Sequence, residues 1–122
     1  MWATPESLIN TLVVEIPELR PMLDEHLHDN YGELLPHVFF GDVTRWAEEQ
    51  AWHPTATSLT KLRHLLDRLD ADYPDGDDDL RGLIQVSFLW GLSDAVRALL
   101  GPTLQAAVQT SDDPGIRGPN NR

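Results

Sequence analysis

Five histidines, His26, His28, His37, His53 and His64, are the residues best suited to acid–base or metal chemistry. His26 and His28 are two positions apart, so on a helix they point about 200° away from each other and cannot share an ion. Glu33 and His37 stand four apart and can meet on one helical face. A metal site needs three or four ligands, and one such pair does not make one. Glu25 and His26 are adjacent, and adjacent helical residues do not face each other. If the chain is a small enzyme, Glu25, His26, Glu33 and His37 are the groups from which its site is built. No GxSxG, HExxH or phosphate-cradling glycine loop is present, and no catalytic residue, cofactor or metal is expected.

The other chemical concentration is Asp70 to Asp79, with six aspartates and no base. A calcium-loop reading fails. Placing Gly76 at the sixth position puts Ala71 first and Gly82 twelfth, where oxygen ligands are required. A solvated turn that caps the next helix explains the run more simply. If the chain binds a partner, Asp72, Asp75, Asp77, Asp78 and Asp79 form its densest negative patch. Phe39 and Phe40 are adjacent and cannot both face one side of a helix, so one of them is expected to form an apolar surface patch that favours partner binding. Trp46, Trp52 and Trp90 are expected in the core, and Trp2 either staples the first helix or lies exposed.

Composition sets the frame for these residues. The chain has 122 residues, and twenty acids against nine bases give a net charge of −11. Such a surface repels nucleic acid and anionic lipid and attracts a basic protein. The blander reading is that acidity keeps a small protein soluble. There are no cysteines, which excludes disulfides and thiolate metal sites. The N-terminus lacks the basic and apolar regions of a signal peptide, and no apolar run approaches the ~20 residues that span a bilayer. A soluble, cytoplasmic protein is the expectation, with the oligomeric state left open.

The elements that must position these groups read as helices. Thr4-Pro5-Glu6 starts one that runs to about Glu15, where Pro17 ends it. A second spans about Glu18 to Asp29, with Leu19, Met22, Leu23, His26 and Leu27 inward, and stops at Asn30-Tyr31-Gly32. A third covers about Glu33 to Ala51. Gly41-Asp42 interrupts it, which opens the alternative of two short helices meeting at Gly41. A fourth, capped by Thr57 or Ser58, carries Leu59, Leu62, Leu65, Leu66, Leu69 and Tyr73, with Lys61, Arg63, Asp67 and Arg68 toward water. One of Asp77 to Asp79 then caps the longest apolar run, Leu80 to Leu92, which is polar only at Arg81, Gln85 and Ser87.

That run is the expected central helix, with Ser87 buried in it. Its rival is a strand, because Ile84, Val86, Phe88 and Trp90 alternate with polar positions. Ser93 or Asp94 starts a short helix, Gly101-Pro102 closes it, and Thr103 to about Thr110 adds a turn or two. The fold class is all-α: one compact domain over residues 1–110, of five to seven short helices. An α-solenoid fragment is the alternative architecture. Residues 111–122 have little to bury and are expected to form a disordered tail.

GELLPHVFFGDVTRW (Gly32 to Trp46), LIQVSFLWGL (Leu83 to Leu92) and Leu99-Leu100-Gly101-Pro102 together resemble a family of small bacterial proteins of unknown function. The resemblance covers roughly residues 5 to 108, on the size expected of a domain. It implies a compact helical fold and supplies no catalytic residue. Where that family has an acidic residue after Ser-Phe-Leu, this chain has Trp90. Such proteins look like immunity-type partners of secreted bacterial toxins. The expected function is therefore a non-enzymatic protein-binding module, immunity-type, neutralising a basic partner. The alternatives are the small enzyme described above or an accessory structural subunit.

Overall fold

In the computed structural model, residues 3–112 are described. They form seven α-helices: α1 (Pro5–Glu15), α2 (Leu19–Asp29), α3 (Pro36–Trp52), α4 (Ala56–Asp72), α5 (Asp78–Ser87), α6 (Asp94–Arg97) and α7 (Pro102–Asp112), with a 3-10 turn at Leu89–Gly91. Among the described residues there is no strand. One isolated bridge joins Ala3 to Gly76, so the alternating pattern at Ile84 to Trp90 does not become a strand.

Capping sets most of the helix starts. Thr4 and Ser7 exchange hydrogen bonds at α1, Ser7 N–H to Thr4 Oγ1 at 3.1 Å and Thr4 N–H to Ser7 Oγ at 2.9 Å. The same box opens α4 at Thr55 with Ser58. The cap is therefore Thr55 and not Thr57 or Ser58, because Ser58 is the third helical residue that answers it. Asp77 caps α5, its Oδ1 accepting the Leu80 N–H at 2.8 Å, and Ser93 caps α6. α2 stops where Tyr31 (φ 57) and Gly32 (φ 84) turn left-handed, and Gly32 N–H reaches the Leu27 carbonyl at 2.7 Å.

α3 is one helix. It runs straight through Gly41-Asp42, contrary to the two-helix alternative. Phe39, Phe40, Val43 and Ala47 on either side of Gly41 are all fully buried. Burying such a stripe outweighs the roughly 1 kcal/mol that glycine costs a helix. Asp42 starts nothing new and instead pairs with Arg45 one turn on. α3 packs against α1, α2, α4, α5 and α6.

α5 ends five residues before the expected Leu92. At Phe88 the backbone leaves helical geometry (φ −121, ψ −66), and the 3-10 turn follows. The break lets Phe88 and Leu89 both reach the core. Phe88 lies edge-on to Phe40 at 6.3 Å, Phe40 to Phe39 at 6.5 Å, and Phe39 to His26 at 5.7 Å, a ring series joining the residue just after α5 to α3 and α2. Ser87, expected buried, is only half-buried at the helix end.

α4 carries its leucines inward, but Leu59 is exposed. Arg68, expected in water, is partly buried between α1 and its own helix: Nη1 lies 3.4 Å from Glu15 Oε2 and Nη2 3.0 Å from Asp72 Oδ1. Asp70 Oδ1 accepts the Leu104 N–H at 2.9 Å and so ties α4 to the start of α7. α7 continues to Asp112, two residues into the segment expected to be a tail. Trp2 and the remainder of that segment, 113–122, lie outside the described residues.

Candidate functional site

The acidic turn is held at both ends. Ala3 N–H donates to the Asp75 carbonyl and Asp77 N–H to the Ala3 carbonyl, each at 2.9 Å, so the segment before α1 pins the turn to the body. This divides the five aspartates. Asp72 pairs with Arg68 and Asp77 caps α5, so both are engaged inside the fold. Asp75, Asp78 and Asp79 are exposed. Their carboxylates meet no base among the described residues; Asp75 stands on the anchored turn and Asp78 and Asp79 in the first turn of α5.

Phe39 and Phe40 form no surface patch. Both are fully buried. Positions 100° apart on α3 can both be covered because α2 and α5 pack on adjacent faces of it, as the two edge-on ring contacts show.

The residues of the enzyme alternative are not brought together. His26 is 4% exposed, its Nε2 accepts the Leu35 N–H at 3.0 Å, and its ring leans on Phe39. It fills space and satisfies a backbone donor at the entry to α3. His37 lies two residues from Phe39 and so faces nearly the opposite side of α3. There its Nδ1 and the Ser87 hydroxyl form a 2.6 Å hydrogen bond. Glu25 and Glu33 are exposed and pair with neither histidine. Among the described residues no three His, Asp or Glu side chains gather in a metal-holding arrangement.

Two features escaped the sequence reading. The first is a shallow cleft of about 470 Å³ between α1 and α4, lined by Glu15, Thr60, Arg63, His64, Asp67 and Arg68. Glu15 accepts from His64 Nε2 at 3.0 Å and from Arg68, so the cleft is a network of opposite charges joining two helices. Only the four-residue separation of His64 and Arg68 hinted at a shared face.

The second is a pair of tryptophans on the surface. Trp52 is 80% exposed and Trp90 is 56% exposed, while Trp46 is half-buried against the core. The expectation that all three lie in the core therefore fails for two. Trp52 is the last residue of α3, past the stripe that α4 and α5 cover. Trp90 is turned outward by the 3-10 geometry that turns Leu89 inward. Trp52, Glu48, Glu49 and His53 line an open depression of about 370 Å³. Glu48 Oε2 also accepts the Ser93 N–H at 2.8 Å, which ties this end of α3 to the segment just after Trp90.

Among the described residues no helix is long and apolar enough to cross a membrane. A family model described as a domain of unknown function, DUF7674, matches residues 9–113, and the chain belongs to that family. Comparison with the curated proteins and with the solved structures finds no match.

Proposed function

We propose that this chain of the DUF7674 family is a non-enzymatic protein-binding module that captures a basic polypeptide. The finer form of the reading is an immunity-type role, in which its acidic surface covers the cationic face of a toxin. The observation that supports it is how the charges are used. Arg45 pairs with Asp42, Lys61 with Glu18, and Arg68 with Glu15 and Asp72, while Arg81 donates to the carbonyls of Tyr73 and Pro74. These bases have partners within the chain, whereas Asp75 on the anchored turn and Asp78 and Asp79 in the first turn of α5 stand exposed. The exposed acids raise encounter rates with a cationic protein and disfavour acidic ones.

Cross-linking in the source cells, followed by binding measurements on the two purified proteins, tests this. The expected partner is a polypeptide with a net positive charge whose affinity falls as salt rises. Recovery of an acidic partner, or of binding indifferent to salt, contradicts it.

A further inference from the structure

We infer that the depression at the end of α3 receives an arginine or lysine side chain of the basic partner, with Trp52 as its wall and Glu48 and Glu49 as its counter-charges. The inference rests on the basic-partner reading above and gives it a contact point away from the acidic turn. An indole face attracts a cation, guanidinium above all, and the attraction grows when neighbouring carboxylates share the charge and water is displaced. All the parts are present. Trp52 is 80% exposed at a helix terminus, where little else covers its ring. Glu48 and Glu49 lie four and three residues before it, so one turn of helix sets both carboxylates beside the indole.

The wall is fixed from the other side as well. Glu48 holds the Ser93 N–H at 2.8 Å. Gly91 packs so closely on Thr44, one turn before Glu48, that an added Cβ would stand 3.3 Å from Thr44 Cγ2. Trp90, next to Gly91, is 56% exposed but does not line the depression. Aromatic residues with a large flat surface and few rotatable bonds are the usual anchors of protein interfaces. The one base on α3, Arg45, is paired with Asp42. An aromatic wall with flanking acids is complementary to a cationic side chain and disfavours an acidic or purely apolar one.

The test uses the full chain and an oligoarginine peptide, with oligoglutamate as the opposite-charge comparison, followed by NMR. Oligoarginine is expected to shift the Trp52 indole N–H resonance saturably, with Trp46 as internal reference, and oligoglutamate to leave it unmoved. Trp52→Ala, or Glu48→Gln with Glu49→Gln, is expected to weaken the peptide about tenfold. Glutamine keeps the acceptor for Ser93, and unchanged melting of each variant confirms the fold. Peptide binding that is unaltered by these variants and shifts only the Asp75, Asp78 and Asp79 amides overturns the Trp52 pocket and leaves the basic-partner reading intact. Absence of peptide binding at low salt overturns both. Self-association of the parent that Trp52→Ala abolishes overturns the pocket in favour of a contact between copies.

Discussion

Replacing His26 by alanine removes an imidazole that is 4% exposed and accepts the Leu35 N–H at 3.0 Å. The change leaves a cavity against Phe39 and a donor without its partner, and stability is expected to fall by about 2–4 kcal/mol. A urea midpoint equal to that of the parent would remove His26 from the core. Ser87 behaves differently. Its hydroxyl meets His37 at the half-buried end of α5, so Ser87→Asp sets a carboxylate beside an imidazole and not inside apolar packing. The variant is expected to fold and to melt within a few degrees of the parent; outright unfolding would place Ser87 deeper than described. Sequence spacing alone could not separate these cases, because both residues lie on apolar stripes. What distinguishes them is which side of α3 each one meets, and that depends on elements remote in the chain.

At the level of the helix, Gly41 offers the clearest check of α3's continuity. An added Cβ at Gly41 meets nothing nearer than Arg45 Nη1 at 3.9 Å. Gly41→Ala should therefore stabilise the protein by about 0.5–1 kcal/mol, the difference in helix propensity, seen as a higher melting temperature. A loss of stability would indicate a hinge at that position. Gly101 is the opposite case. A Cβ there would stand 2.7 Å from the Asp70 carboxyl group that accepts the Leu104 N–H, so Gly101→Ala should disturb the start of α7 and lower the melting temperature. The starts of α1 and α5 were legible because Thr4 and the Asp77–Asp79 run are strong caps. The end of α5 was not, because the tertiary demand to bury Phe88 and Leu89 together overrode a pattern compatible with continued helix. The same break exposed Trp90, and no local signal announces a residue turned outward by a change of helix type.

For the molecule as a whole, the all-α class and the acidic character were readable from spacing and composition. The candidate surface was only half readable. The acidic turn is where the sequence concentrates aspartate, yet Asp72 and Asp77 are used internally, while the exposed Trp52 depends on where α3 outruns its neighbours. Once the basic partner is in hand, stopped-flow association with the parent and with Asp75→Asn, Asp78→Asn, Asp79→Asn combined is the most direct measurement. Asp77 stays in place to cap α5, so the fold is preserved. Long-range attraction acts on the association rate and is screened beyond a Debye length of about 8 Å at physiological salt. The triple variant is expected to associate several-fold more slowly than the parent at low salt, with the gap closing as salt is added. Equal rates at every salt concentration would contradict capture of a basic partner by this acidic surface.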